Sequence, residues 1–200
     1  MNIGVIGIGM MGSTHLDAYN NMEDVTVTAV ADLIEERREG TATAAGNIEG
    51  QSQGGVDFSA FKKYREGMDL IADPDIEVVD ICIPTPLHVE YAIAALKAGK
   101  HVLTEKPFSR NSREGAELVE AAKSAKGQLM CAMCMRFWPG WTWLKEAVER
   151  GTYGKVLSAQ FRRVTNHPGG PFYTDGEACG GAILDLHVHD SDFIQYCFGM

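Results

Sequence analysis

A glycine-rich turn near the start of the chain has the spacing of a phosphate-binding loop. The segment Gly7–Gly12 reads Gly-x-Gly-x-x-Gly and lies at the end of an apolar run, Ile3–Ile8. In such a turn the first glycine permits a tight bend, the second lets backbone approach a pyrophosphate, and the third permits close helix–strand packing. Backbone N–H groups and the dipole of the following helix favour bound phosphate. The sequence therefore predicts a dinucleotide site that includes Gly7, Gly9, Met10, Met11 and Gly12.

Asp32 lies twenty residues after Gly12, at the end of the next apolar run. A carboxylate at this position accepts hydrogen bonds from the ribose hydroxyls of NAD and repels the additional phosphate of NADP. Arg37 and Arg38 follow closely and would weaken that repulsion. We therefore expect NAD as the cofactor, with NADP as the alternative, and we count Asp32 and Arg37 among the cofactor-binding residues. The competing interpretation of Asp32 is a helix N-cap.

Asp185 and His189 near the end of the chain are spaced i, i+4. On a helix they would share one face within hydrogen-bonding reach. A neutral imidazole near pH 7 suits a general base, although a helix first-turn aspartate and a core histidine explain these residues at least as well. His187 adds a His-x-His pattern, but a separation of two residues turns a helix by about 200°, so the imidazoles diverge and we expect no metal site.

The five cysteines include one Cys-x-x-Cys pair, Cys131 and Cys134. The sequence offers no second pair of cysteines or histidines at the spacing that would complete a zinc site. We interpret the pair as residues of the protein core. Three of the five cysteines lie within apolar runs, which is typical of reduced thiols in a cytoplasmic protein.

The elements that position these residues alternate between strand-like and helix-like segments. Apolar runs rich in Val, Ile and Ala occur at Ile3–Ile8, Val25–Ala31, Val78–Ile83, His101–Thr104 and Leu129–Met135, with a short strand near Val56–Phe58. Helical patterns occur at Met11–Met22, Leu33–Ala45, Phe61–Ala72, His88–Ala98 and Arg113–Ala125, and a polar loop at Gly46–Gly55. This alternation predicts an α/β fold, a doubly wound parallel sheet of the Rossmann type.

After Gly127 the pattern changes. We expect a helix at Trp143–Arg150, an alternating strand at Val156–Thr165, a loop at Asn166–Gly181 and a final helix at Ala182–Phe198. One strand and two helices cannot form an independent sheet domain. We therefore expect an NAD(P)-binding domain over residues 1–127. Residues 128–200 would be the start of a second α/β (α+β) domain, truncated within this chain.

Charge and hydropathy exclude several partners. The chain has 18 Lys and Arg against 27 Asp and Glu, a formal net charge of −9, and no basic run, so nucleic acid is not expected. No apolar stretch approaches the ~20 residues that a membrane span requires, and no signal peptide is visible, so no membrane partner is expected. These features favour a cytoplasmic protein.

Three later segments combine with the glycine turn into a more specific pattern. They are Pro84-Thr85-Pro86-Leu87-His88, Glu105-Lys106-Pro107, and Gly180-Gly181 followed by Asp185 and His189. With them the sequence resembles the Gfo/Idh/MocA oxidoreductases, the family of glucose–fructose oxidoreductase and inositol dehydrogenase, from residue 2 to about residue 199. Glu-Lys-Pro with the downstream Gly-Gly-x-x-x-Asp-x-x-x-His is far more specific than the glycine turn alone.

The resemblance implies an active-site lysine at Lys106. This residue follows the run His101–Thr104, at the carboxyl edge of a parallel sheet where such folds bind ligands. It precedes a proline, which favours an extended conformation or an unusual peptide bond. By resemblance, Lys106 contacts substrate and nicotinamide, His189 accepts a proton, and Asp185 orients His189 or binds a substrate hydroxyl.

The resemblance also assigns further binding residues. Pro84, Thr85, His88, Glu105 and Lys106 join the cofactor site, and Arg136 joins Lys106, Asp185 and His189 in the substrate site. Asp192 is expected to hold His189 or to cap the structure rather than to react. The aromatic residues Trp138, Phe172 and Tyr173 suit either stacking on a sugar or core packing.

Together these features predict an NAD(P)-dependent oxidoreductase that transfers a hydride between the nicotinamide and a secondary alcohol of a sugar, polyol or sugar derivative. The alternatives are a non-catalytic dinucleotide-binding or assembly protein, and an inactive fragment of such an enzyme. A homo-oligomer is expected where the full second domain is present.

Overall fold

A parallel sheet forms the centre of the protein in a computed structural model that describes residues 1–42, 55–167 and 170–199. Within these residues the strands are β1 (Asn2–Ile6), β2 (Thr26–Ala31), β3 (Lys62–Tyr64), β4 (Val78–Ile81), β5 (His101–Thr104) and β6 (Leu129–Cys131). They pair in the order β3-β2-β1-β4-β5-β6, and every neighbouring pair is parallel. The sheet grows in one direction from β1 to β3 and in the other from β4 to β6. The predicted doubly wound Rossmann fold is therefore confirmed, with its switch point between β1 and β4.

Helices connect the strands and continue beyond the sheet. In the described residues they are α1 (Met10–Asn20), α2 (Glu35–Arg38), α3 (Gly67–Ala72), α4 (His88–Lys97), α5 (Ser112–Ser124), α6 (Pro139–Glu149), α7 (Pro171–Thr174), α8 (Gly176–Cys179), α9 (Gly181–Asp185) and α10 (Val188–Phe198). None of these helices is both long enough and apolar enough to cross a bilayer.

The core lies on both faces of the sheet. One cluster joins buried residues of β4 to those of α4 and α5, including Ile81, Leu96 and Leu118. A second cluster joins β1 and β2 to α1 through Val5, Val30 and Leu16. Because the central strands are covered on both faces, their sequences are nearly continuous apolar runs rather than alternating ones.

The segment between β2 and β4 differs from its prediction. The expected strand Val56–Phe58 and helix Phe61–Ala72 are instead a 3-10 turn at Phe58–Ala60, the strand β3, and a helix that begins only at Gly67. β3 lies at the edge of the sheet and carries Lys62 and Lys63. Such charges prevent an exposed edge strand from pairing with another chain, and because of them the strand is not an apolar run in the sequence. The expected helix Leu33–Ala45 is helical at Glu35–Arg38, whereas residues 43–45 and the predicted loop up to residue 54 lie outside the described residues.

The region after β6 differs more. No strand forms at Val156–Thr165, where the described backbone has no ladder partner and Leu157 is 91% exposed. The expected loop Asn166–Gly181 contains α7 and α8 in its described part. The expected helix Ala182–Phe198 is two helices, with a break between Asp185 and Val188. The helix expected at Trp143–Arg150 begins earlier, because Pro139 occupies the first helical position that proline favours.

The packing of α1 against the end of β1 depends on Gly12. A Cβ atom at this position would lie 1.9 Å from the carbonyl oxygen of Gly7, and Gly7 itself has φ +90°. Any side chain at residue 12 would therefore push α1 away from the turn.

We predict that Gly12→Ala lowers the free energy of unfolding by about 1–3 kcal/mol, the usual cost of forcing an extra group into a packed site. Gly140→Ala is the matched control, because a Cβ there meets nothing within 4 Å and the residue lies in α6. Urea unfolding of both variants measures the difference. Equal stability of the two variants would contradict the close approach.

Candidate active site

The glycine turn opens at the switch point of the sheet. The Gly7 N–H donates to the Ala31 carbonyl (2.7 Å), which ties the turn to the end of β2. Gly9 is the N-cap of α1 and has no side chain with which to cap this helix. Among the described residues, a Cβ on Gly9 would meet within 4 Å the Arg37 Nη1 atom alone, at 3.9 Å. The space above the turn and the N-terminus of the helix therefore fit a pyrophosphate.

Asp32 connects the end of β2 to this turn. Its Oδ2 accepts the Ile8 N–H (2.7 Å) and its Oδ1 accepts the Ile34 N–H (2.9 Å). The N-cap of α2 is Ile34, so the competing interpretation of Asp32 as the helix N-cap is wrong. Arg37 Nη1 lies 3.7 Å from Asp32 Oδ2, and Arg38 donates to the Asp32 carbonyl (2.6 Å). The structure thus places Arg37 beside the Asp32 carboxylate and Arg38 against the Asp32 backbone.

Lys106 lies directly beyond β5, at the carboxyl edge of the sheet. The Lys106–Pro107 peptide bond is cis, which is the unusual peptide bond that the sequence offered as one possibility before this proline. Lys106 Nζ donates to Asp185 Oδ1 (2.9 Å) and to the Asp185 carbonyl (2.8 Å). The two side chains are 17% and 20% exposed, so the pair remains open to a small molecule. This contact joins the sheet edge to the last residue of α9.

His189 lies in the first turn of α10, and its Nδ1 is buried with no hydrogen-bond partner in the described parts of the chain. Burial lowers the pKa of His189, and the charges of Lys106 and Arg163 lower it further. The predicted Asp185–His189 hydrogen bond is absent, because the helix breaks between these residues and Asp185 instead binds Lys106. The imidazole is therefore neutral near pH 7, with an unused polar atom.

The acidic residues of α10 hold two arginines. Asp190 accepts both Arg163 Nε (2.9 Å) and Nη2 (2.8 Å), and His187 Nδ1 lies 3.3 Å from the same carboxylate. Asp192 binds Arg136 through two contacts, one of them Nε–Oδ2 at 2.8 Å. In the structure the Asp192 carboxylate is therefore bound by Arg136 rather than by His189.

The segment after β4 packs inward. His88 is 1% exposed, and its ring nitrogens face the carbonyls of Pro107 (Nδ1, 2.9 Å) and Ile83 (Nε2, 2.7 Å). Burial lowers the pKa of His88. Thr85 is buried as well, whereas Pro84 is exposed. Any effect of His88 on a bound cofactor would therefore be transmitted through the backbone of Ile83 and Pro107.

A buried cluster of charged residues around His15 was not predicted from the sequence. His15 on α1 contacts two carboxylates, Asp80 Oδ2 through Nδ1 (2.7 Å) and Glu105 Oε1 through Nε2 (3.1 Å). Tyr19 donates to the same Asp80 oxygen (2.9 Å), and Asp80 has no exposed area. A visible signal existed, because Asp80 is a charged residue within an apolar run and His15 lies one helical turn after Gly12.

Cys82 lies beside this cluster. Its Sγ lies 3.4 Å from His15 Nδ1 and 3.6 Å from Asp80 Oδ1. The three groups offer ligand atoms within 4.8 Å of one another, and their types are those that bind zinc. Hydrogen bonds within the cluster already account for their proximity.

The cysteine pair and the aromatic residues are distributed between core and surface. All five cysteines are free thiols, and burial raises the pKa of Cys131 to about 12. Cys134 is exposed, so the interpretation of both cysteines of the pair as core residues is wrong for Cys134. Trp138 is exposed, whereas the rings of Phe172 and Tyr173 pack edge to face at 5.0 Å.

Comparison with known proteins supports the resemblance drawn from the motifs. A family model described as "Oxidoreductase family, NAD-binding Rossmann fold" matches residues 1–133, and the model of the GFO/IDH/MocA C-terminal domain matches residues 141–200. The N-terminal part therefore carries an NAD-binding Rossmann fold, as expected.

Two curated relatives match over the whole chain. A myo-inositol 2-dehydrogenase of Thermotoga maritima is 34% identical over 200 residues, which are 100% of this chain and 55% of that protein. A levoglucosan dehydrogenase of Pseudarthrobacter phenanthrenivorans is 32% identical and matches 100% of this chain and 51% of its own length. The chain thus spans about half the length of the curated relatives it matches.

A solved structure of a levoglucosan dehydrogenase in complex with NADH and levoglucosan has a similar fold. The TM-score is 0.80 at 29% identity, over 100% of this chain and 54% of that chain. The structural likeness therefore includes the region after β6 as well as the sheet.

Proposed function

Because the chain belongs to the Gfo/Idh/MocA oxidoreductase family, we propose that it provides the cofactor site and the reacting side chains of an NAD-dependent dehydrogenase. The proposed substrate is a secondary alcohol of a sugar, polyol or sugar derivative, oxidised or formed in the reverse reduction. The main supporting observation is the Lys106–Asp185 contact at the carboxyl edge of the sheet. The neutral His189 lies close enough for the charge of Lys106 to lower its pKa. Relatives named for inositol and levoglucosan support the substrate class.

The proposed cofactor site combines the glycine turn with Asp32. The N-terminus of α1 would hold the pyrophosphate, and the Asp32 carboxylate would accept the adenosine ribose hydroxyls. The negative charge of Asp32 favours NAD, and NADP remains the alternative because Arg37 lies beside the carboxylate and Arg38 binds the backbone of the same residue. When bound, the nicotinamide would accept a hydride from the alcohol carbon or return one to the carbonyl.

The reacting side chains divide the remaining work. His189 would take the hydroxyl proton, because burial and the charges of Lys106 and Arg163 lower its pKa and leave the imidazole neutral. An ammonium group has three hydrogens, and Lys106 directs two of them to Asp185, which leaves one for the reacting oxygen. That hydrogen bond would stabilise the developing negative charge on the oxygen. Asp185 would orient Lys106 rather than His189.

The proposal extends to domains, assembly and location. Residues 1–127 would be the dinucleotide-binding domain, with β6 completing its sheet just beyond, and residues 128–200 would begin the substrate domain. A homo-oligomer would form where the full second domain is present. The five free cysteines agree with a cytoplasmic location.

We predict that Lys106→Met or His189→Gln lowers kcat on the preferred polyol by about 100-fold or more, the usual loss when a charge-stabilising donor or a general base is removed. NADH binding should remain nearly unchanged, because the glycine turn and Asp32 are intact. Turnover is followed by NADH absorbance across a panel of polyols and sugars, and binding is followed by calorimetry.

Lys97→Met, at an exposed position of α4, is the matched control and should keep full activity. Equal loss of NADH binding and of turnover in the Lys106 and His189 variants would contradict the assigned roles. NADH binding by the unaltered chain without turnover of any substrate would favour the non-catalytic alternative.

We also predict that the pKa of His189 lies below the ordinary histidine value of about 6.5. A lowered pKa keeps the imidazole neutral, and able to accept a proton, to lower pH than an ordinary histidine. Lys106→Met removes a neighbouring positive charge, so the pKa of His189 should rise in that variant. NMR titration of His189 measures both values without requiring turnover. A pKa at or above 6.5, or no rise in the variant, would refute this electrostatic assignment.

A further inference from the structure

We propose that His15 is a positioning residue for Lys106, a permanently protonated imidazolium that bridges Asp80 and Glu105 and thereby holds the backbone of Lys106. The importance of Lys106 to the reaction rests on the proposed function above. The bridge itself rests on the contacts of four described residues.

The geometry requires two protons on the ring. His15 Nδ1 lies 2.7 Å from Asp80 Oδ2, and Nε2 lies 3.1 Å from Glu105 Oε1. An ionised carboxylate only accepts hydrogen bonds, and a neutral imidazole carries a single N–H. A neutral ring would therefore leave a lone pair facing a carboxylate on one side. Only the imidazolium donates on both sides.

Charge balance leads to the same protonation state. The side chain of Asp80 is fully buried and that of Glu105 is 9% exposed, and unpaired buried carboxylates are costly. Burial alone would lower the pKa of His15, but its hydrogen bonds to Asp80, Cys82 and Glu105 raise it far above the ordinary value. Burial alone would raise the pKa of Glu105, but the hydrogen bond and charge of His15, together with the charge and backbone N–H of Lys106, lower it.

The groups around His15 differ in the charge they supply. Tyr19 on α1 and Cys82 after β4 face the same space, and burial raises the pKa of both, so both stay neutral. The Lys106 ammonium is directed to Asp185, and its charge adds to the effect of His15 in lowering the pKa of Glu105. His15 is therefore the cation that the described structure places in contact with both carboxylates, one positive charge for two negative ones.

Glu105 connects His15 to the backbone of Lys106. Its Oε2 accepts the Lys106 N–H (2.9 Å) while its Oε1 is held by His15. The Glu105 N–H donates to the Ile81 carbonyl (2.9 Å), which fixes the same residue to β4. Since His15 lies on the helix that begins at the glycine turn, one carboxylate connects the cofactor-binding helix to the peptide of Lys106.

The test is NMR spectroscopy of the full ¹⁵N-labelled chain. We expect both ring nitrogens of His15 to remain protonated from pH 6 to pH 9, and the Lys106 amide to be protected from hydrogen exchange. His15→Gln should increase exchange at that amide by about tenfold or more, the loss expected for a charge-assisted hydrogen bond. Two variants serve as controls: His101→Gln alters an exposed histidine of β5, and Tyr19→Phe removes the other donor to Asp80 without touching Glu105.

A neutral His15 ring at pH 8 would overturn the inference, and this measurement needs no variant to fold. Unchanged Lys106 exchange in a folded His15→Gln protein would also overturn it, as would an equal increase in Tyr19→Phe. The proposed function fails separately. Its failure would appear as full turnover in Lys106→Met while the His15 imidazolium is intact. Full kcat in His15→Gln, together with an inactive Lys106→Met, would contradict only the positioning role of His15.

Discussion

The close approach of α1 to the end of β1 is the constraint on which the rest of the site depends. Gly12 lies so near the Gly7 carbonyl that any side chain would separate helix and strand. With the helix in this position, its N-terminus, where the N-cap is Gly9, faces the space above the sheet. The Ile8 N–H then donates to the carboxylate of Asp32. One turn further along, His15 reaches the buried charges of β4 and of the segment after β5. A single steric contact therefore sets both the phosphate side and the buried charge cluster.

The second half of the site is formed by a break in a helix. The end of α9 and the start of α10 are separated, so that Asp185 turns to Lys106 while His189 keeps an unpaired nitrogen. Arg136 and Arg163 then hold α10 in place through Asp192 and Asp190. Burial lowers the pKa of His189 most, and the charges of Lys106 and Arg163 lower it further. Packing around α10 and the neighbouring charges thus together keep the proposed base neutral.

The interior of the sheet and the glycine turn could be predicted because local signals and tertiary packing agree there. Buried parallel strands are continuous apolar runs, and the turn needs glycine for steric reasons. β3 was missed because an edge strand carries lysines, and the expected strand at Val156–Thr165 was wrong because alternation alone does not supply a pairing partner. The predicted hydrogen bond between Asp185 and His189 was wrong because an i, i+4 spacing brings two side chains together only on an unbroken helix. His15 was missed because its partners lie 65 and 90 residues away in the chain.

The most direct test of the whole account is the binding of NADH to the chain and to Asp32→Ala. The account predicts that NADH binds in preference to NADPH. It also predicts that Asp32→Ala weakens NADH binding by about tenfold or more, since the carboxylate both holds the turn and would accept the ribose hydroxyls. Glu35→Ala, an exposed position in the first turn of α2, should bind as the unaltered chain does. Absence of NADH binding, or equal affinity in Asp32→Ala and Glu35→Ala, would contradict it.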